Sequence, residues 1–261
     1  MNDVPLIHPL AAVAGGAQLG AGVRVGPFAV IEDDVEIGEG CAIAAHAVIK
    51  RYTRMGARNR VAEHAVIGGE PQDVKFRGRP SYLVIGAANL IREGVTIHRA
   101  SVEGGETRIG DENFLMAYSH IAHDCQVGNQ TVIANGALVA GFVSVGDRAF
   151  VSGNVAIHQF ARIGRLAMVG GLARISQDCL PFMISEGSPA RARGLNIVGL
   201  RRAGVAAQDV AALKKALALL RSGLLLQEAL GELEGSDSAL VRELAQFIRE
   251  SKRGFTHPSA V

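Results

Sequence analysis

The chain has no tryptophan in 261 residues, and aromatic residues make up only 5% of it. A wide core of stacked rings is therefore excluded, and any interior must be narrow and aliphatic. There are only three cysteines, Cys41, Cys125 and Cys179, far apart and without metal-ligand spacing. They read as buried thiols and point to a reducing, cytoplasmic setting. An excess of one charge is lacking too. With 27 Lys and Arg against 25 Asp and Glu the net charge is +2, which implies no nucleic acid partner. No uncharged apolar stretch is long enough to span a bilayer, and no basic segment followed by an apolar run marks a leader.

What is present is periodic. From Ile7 to Ile175, 26 of 29 positions six residues apart are aliphatic, the exceptions being Asp73, Arg79 and Glu103. The chain is 48% hydrophobic, so chance would fill only about half of them. A period of six fits neither an amphipathic helix nor a simple hairpin sheet. It fits a chain that turns a corner every six residues and buries one large side chain at each. The residue two before each aliphatic is small or modest, as at Ala11, Ala17, Val23, Ala29, Val35, Cys41, Ala47, Thr53, Asn59 and Ala65. Strand side chains alternate faces, so both point inward, one large and one small. Glycine often follows the aliphatic, which suggests relaxed backbone at a tight corner. Three hexapeptides then make one triangular coil of about 18 residues, and stacked coils make a parallel β-helix.

Two segments leave this pattern without shifting its phase, at about 69–82 and 99–107. Such excursions from a regular scaffold are often functional. The ladder stops near 176, and Pro181 and Pro189 flank an expected loop. From about 196 the apolar spacing becomes three and four, with Gly223 and residues 235–237 as punctuation. The expected organisation is a β-helix over 1–191 and an α-helical domain over 192–261.

Positions 18 apart should stack on successive coils. His123, Gly141 and Gln159 share one such column, and Asp124, Phe142 and Phe160 the next. His120 and His158 fall beside them, so one edge should collect His120, His123, Asp124, His158 and Gln159. A histidine beside a carboxylate can serve as a general base, because its pKa lies near neutrality and the carboxylate stabilises the imidazolium. His-Asp adjacency alone is weak evidence, since neighbouring side chains on a strand usually diverge. His46, His64 and Phe28 share another column, read as a structural surface ladder. His8 and His257 carry no signal.

Several segments go beyond periodicity: Gly-Gly-Glu-Pro-Gln-Asp at 68–73, Ile-Arg-Glu-Gly-Val-Thr-Ile-His-Arg at 91–99, His-Ile-Ala-His-Asp-Cys at 120–125, His-Gln-Phe at 158–160, and Asn196 followed by Gly-Leu-Arg-Arg at 199–202. On these the chain resembles, over essentially its whole length, the UDP-N-acetylglucosamine O-acyltransferases that open lipid A biosynthesis. The resemblance implies a left-handed coil and a homotrimer with active sites between neighbouring subunits. It implies that His123 takes the proton from the glucosamine 3-hydroxyl, which attacks the thioester of an acyl carrier protein bearing a 3-hydroxyacyl chain. Asp124 would orient His123, and the Gly141 N–H would stabilise the oxyanion. Gln72, Asp73, Lys75 and His120 would contact the sugar and phosphate region, with His98 also among the substrate-binding residues. His158, Gln159, Asn196 and Arg202 would hold the nucleotide, and Gly171 would leave the acyl groove open for a long chain. No metal or organic cofactor is implied.

Seven arginines against Asp178 and Glu186 between residues 158 and 202 suggest a basic docking side for an acidic carrier. Three positions depart from the family pattern. Phe142 stands where a histidine is common, Val198 replaces a glutamate, and Pro189 replaces a residue near the acyl tail. Phe142 leaves open whether the acceptor is a hydroxyl or a 3-amino sugar. Three rivals remain: the related N-acyltransferases, for whose extra N-terminal domain there is no room; a γ-type zinc hydratase, which needs three converging imidazoles; and a non-catalytic scaffold.

Overall fold

The structure is a computed structural model and describes residues 4–258. The ladder residues point inward as their spacing requires. Val25, Ile31, Ile37, Ile43 and Ile49 are no more than 3% exposed, and Val23, Ala29, Val35, Cys41 and Ala47 beside them are fully buried. Each hexapeptide supplies one short strand ending on its ladder residue, then one corner. The strands pass to three faces in turn, so Leu6 pairs with Arg24, Arg24 with Ala42 and Ala42 with Arg60, all in parallel. The result is a left-handed parallel β-helix with three sheets. The first sheet starts at Leu6–Ile7 and has eleven strands, the second starts at Ala12–Val13 and has nine, and the third starts at Gln18–Leu19 and has eight. Among the described residues the first coil is the least covered: Leu6 is 61% and Ile7 42% exposed.

The corners work differently from the expectation. At most corners the third residue after the ladder aliphatic adopts φ near +60°, and most of these residues carry side chains, as at Phe28, His46, Asp124, Phe142 and Phe160. The glycine directly after the aliphatic is therefore not there to relax the turn. At Gly38 a Cβ would lie 2.6 Å from the carbonyl carbon of Gly56 on the next coil. Close stacking of backbone on backbone excludes a side chain there.

Both excursions leave from the second sheet and return on the third. The first departs after Val66–Gly69 and rejoins at Tyr82–Ile85. The second departs after Thr96–His98 and rejoins at Glu106–Ile109. They span 70–81 and 99–105, shorter than expected because the flanking strands lengthen to pair with one another. Coil pairing resumes across them, Arg60 with Leu90 and Thr96 with His120. A buried polar column threads the same coils. The Asn59 side-chain oxygen accepts from the Asn89 N–H at 2.8 Å, the Asn89 oxygen from the Asn113 N–H at 2.8 Å, and the Asn113 oxygen from the Thr131 hydroxyl at 2.7 Å. These bonds satisfy polar groups that the prism interior would otherwise strand.

The loop expected between Pro181 and Pro189 is instead a hairpin. Met183–Gly187 pairs in parallel with Met168–Val169 and antiparallel with Ala190–Leu195, which carries the sheet past residue 191. Pro189 sits in the turn, where no ladder N–H is needed. Four helices follow: α1 (Ile197–Arg202), α2 (Ala207–Leu220), α3 (Leu226–Glu234) and α4 (Ala239–Arg249). Their apolar faces, including Leu213, Leu217, Leu230, Leu244 and Ile248, bury against Phe182, Met183 and Leu195 at the C-terminal end of the prism. Arg162 and Arg165 clamp the join. Arg162 donates to the Phe247 carbonyl at 2.6 Å, and Arg165 pairs with Glu243 at 2.7 Å. Among the described residues no helix is long and apolar enough to cross a membrane.

Candidate active site

The corner between the second and third sheets gathers most of the residues singled out above. His123 and Asp124 lie in the corner after His120–Ile121, Gly141 and Phe142 in the corner one coil on, and His158 and Gln159 in the next. Backbone bonds fix the stack: the Phe142 N–H donates to the His123 carbonyl at 3.0 Å, and the Phe160 N–H to that of Gly141 at 3.1 Å. Both excursions emerge at this same edge, so Gln72, Asp73, Lys75 and His98 are brought to the side of the prism that holds His123.

His123 and Asp124 do not diverge, because they are on a corner and not on a strand. The left-handed backbone at Asp124, φ 60°, turns its carboxylate back onto the neighbouring ring. His123 Nδ1 lies 2.7 Å from Asp124 Oδ2. A carboxylate only accepts, so Nδ1 donates, and in the neutral ring that tautomer leaves the lone pair on Nε2. The Asp124 oxygen also accepts from the Ser101 hydroxyl at 2.6 Å and the Ser101 N–H at 3.0 Å, while the Asp124 N–H donates to Thr107 Oγ1 at 2.7 Å. The pair is nearly enclosed, with side chains 11% and 10% exposed. Gly141 lies under the ring: a Cβ there would meet His123 Cε1 at 2.7 Å and Nε2 at 3.0 Å. Gly141 is buried, and among the described residues its N–H has no partner, which leaves a donor beside the His123 ring.

Two further imidazoles flank the pair. His98 and His120 pack edge to face with centroids 5.1 Å apart. His98 Nδ1 donates to the Glu70 carbonyl at 2.5 Å, and His120 Nδ1 shares a bond with Thr96 Oγ1 at 2.8 Å. Burial pushes His120 down to about 4, with repulsion from His98 and His123 adding to it. Burial also lowers His98, against the help of the Glu70 carbonyl. Both rings are therefore neutral near pH 7 and act as hydrogen-bonding groups. Among the described residues no three His, Cys, Asp or Glu side chains are grouped to hold a metal. Cys125, next to Asp124, is fully buried, and burial pushes its thiol up to about 12, so it is not a nucleophile.

Three expected residues lie elsewhere. Asn196 caps α1: its side chain accepts from the Gly199 N–H at 2.9 Å and donates to the Leu166 carbonyl at 2.9 Å, so its fold uses both ends of the amide. With Arg202 it lines a hollow of about 780 Å³ on the first-sheet face, beside Phe150, Met168 and Val198. Gly171 lies in the corner between the first and second sheets. None of the three shares an edge with His123. The basic side is also less free than its charge count suggests, since Arg162, Arg165 and Arg193 pair with Asp178, Glu243 and Glu186. Arg174, Arg191, Arg201 and Arg202 are exposed. Ser101, Thr107 and Thr96 escaped the sequence reading, because their roles depend on which corner each loop leaves from. The column of Phe28, His46 and His64 stacks as expected, with centroids 5.1 and 5.0 Å apart.

Residues 178–256 match the second domain of the UDP-N-acetylglucosamine O-acyltransferases, and residues 16–51 and 106–141 match the bacterial transferase hexapeptide repeats. The acyl-[acyl-carrier-protein]–UDP-N-acetylglucosamine O-acyltransferase of Alkalilimnicola ehrlichii is 49% identical over 252 residues, covering 95% of this chain and 98% of that one. The protein of the same name from Synechocystis is 50% identical over 187 residues, 71% of this chain and 68% of its own. Among solved structures, the UDP-N-acetylglucosamine O-acyltransferase of Moraxella catarrhalis is 40% identical with a TM-score of 0.93, covering 96% of this chain and 99% of that one. The acyltransferase of Campylobacter jejuni is also 40% identical, with a TM-score of 0.91 over 97% and 100%. With this identity carried across both the coil and the helical end, the chain belongs to the UDP-N-acetylglucosamine O-acyltransferase family.

Proposed function

We propose that this protein transfers a 3-hydroxyacyl chain from acyl carrier protein to the 3-hydroxyl of UDP-N-acetylglucosamine, the first step of lipid A biosynthesis, with His123 as general base. The observation that carries the reading is the 2.7 Å pair of His123 Nδ1 and Asp124 Oδ2, which leaves Nε2 free above Gly141. Nε2 takes the proton of the sugar hydroxyl as its oxygen attacks the thioester carbon. The tetrahedral oxyanion is stabilised by the Gly141 N–H. Collapse expels the carrier thiolate, which takes the proton back from the imidazolium. Asp124 stays ionised throughout and holds the ring in one tautomer. Attack is direct, so the chemistry calls for neither a metal nor an organic cofactor.

Gln72, Asp73, Lys75, His98 and His120 surround the sugar side of this edge. His158 and Gln159 continue it toward the nucleotide. Asn196, Arg202 and Gly171 complete the site from a second protomer of a homotrimer. This assignment rests on their position on other faces of the prism. The carrier docks against the exposed arginines, in the cytoplasm. The test is transfer from a panel of 3-hydroxyacyl carrier proteins to UDP-N-acetylglucosamine and its 3-amino analogue. The expected result is transfer to the hydroxyl sugar, reduced by about 10²–10⁴-fold in His123→Ala. Transfer to the amino sugar alone would assign Phe142 to a changed acceptor, and no transfer to either would overturn the proposal.

A further inference from the structure

Three donors converge on one oxygen of Asp124, and two of them come from Ser101. A carboxylate tied only by its bond to His123 would swing about its broad terminal torsion. Here a hydroxyl at 2.6 Å and a backbone N–H at 3.0 Å hold it from the other side. Ser101 can do this because the excursion that carries it is pinned. Arg99, 2% exposed, donates to the Arg79 carbonyl at 3.1 Å and pairs with Glu70 at 3.1 Å. Its guanidinium also lies 5.1 Å from the centre of the Phe76 ring. The Gly104 N–H donates to the Pro80 carbonyl at 2.9 Å, so the two excursions are joined on both flanks of Ser101.

We propose that Ser101 is a positioning residue for the His123–Asp124 pair: it fixes the carboxylate against the ring and, by sharing its charge, limits how strongly Asp124 pulls on the imidazolium. The inference rests on His123 being the base. Ser101 touches no substrate in this scheme. Its effect belongs to kcat and to the pH profile, not to binding. Removing its hydroxyl leaves Asp124 Oδ2 with one donor fewer, so the carboxylate stabilises protonated His123 more and the acid limb of activity moves to higher pH.

The experiment compares wild type, Ser101→Ala, Ser101→Thr and His123→Ala, after thermal unfolding has shown each to be folded. For Ser101→Ala the expected result is a kcat lowered by about ten- to a hundredfold. Its KM for the sugar nucleotide should be little changed, and its acid limb displaced upward. Ser101→Thr, which keeps the hydroxyl, should restore both. A Ser101→Ala enzyme with wild-type kcat, or one whose kcat falls without displacement of the limb, overturns the proposal. Full activity in His123→Ala would sink the base assignment itself, whatever Ser101 does.

Discussion

At the scale of single residues, the site depends on where protons can and cannot go. His120 is held down to about 4 by burial and by its two imidazole neighbours. In the unfolded chain the same ring titrates at its ordinary value near 6.5. Between these values the unfolded state binds the proton that the folded state refuses, so stability rises with pH across that window. The contribution is fully present above about 6.5 and is lost as pH falls toward 4. Unfolding temperature should therefore drop on acidification through this range, and the drop should be smaller in His120→Gln, as a thermal scan at successive pH values will show. Phe142 has a different part. Its ring meets His123 edge-on, with centroids 5.4 Å apart at 89°, and stacks on Phe160 at 4.7 Å. It gives the His123 ring an apolar flank.

At the scale of elements, the corner is the informative unit. Its stacking distance is set by backbone contact, and Gly38→Ala would push a methyl into the Gly56 backbone of the next coil. Overpacking of this kind costs about 1–3 kcal/mol, to be read as a lower denaturation midpoint at unchanged slope. The period of six made the strands, their inward faces and the stacking of His123 on Gly141 legible from residue spacing alone. The corner dihedrals were not, since spacing says nothing of the sign of φ. For that reason the His123–Asp124 contact looked weaker in the sequence than it is: adjacent side chains diverge on a strand and converge across a left-handed corner. Ser101 was invisible for a related reason. Column arithmetic fails inside an excursion, and only the pinning by Arg99 and Gly104 shows where that hydroxyl lands. The capping of α1 by the Asn196 amide was likewise not legible, because its motif points to a ligand and says nothing of the helix start.

At the scale of the molecule, the proposed site draws on more than one protomer. His123 occupies the edge between the second and third sheets, and Arg202 lines the hollow on the first-sheet face, across the prism. In the proposed homotrimer, rotation about a threefold axis would bring such an edge and such a face together from different subunits. Sedimentation equilibrium should accordingly give three times the 27.4 kDa chain mass. Co-expressing His123→Ala with Arg202→Ala should recover part of the activity that each variant lacks alone, because mixed trimers regain some intact sites. Failure to recover any, with mixed trimers shown to form, would mean that each site is built within one chain.

The two ends of the prism are unlike. The C-terminal end is sealed by helices and clamped by Arg162 and Arg165, whereas the first coil, among the described residues, has Leu6 and Ile7 exposed and a stacked neighbour on one side only. Every coil grips only the coils above and below it, so under tension the structure has a weak end and a strong one. Pulled apart, the chain would peel from its amino terminus one triangle at a time. The edge that holds His123, several turns further in, would be among the later parts to yield.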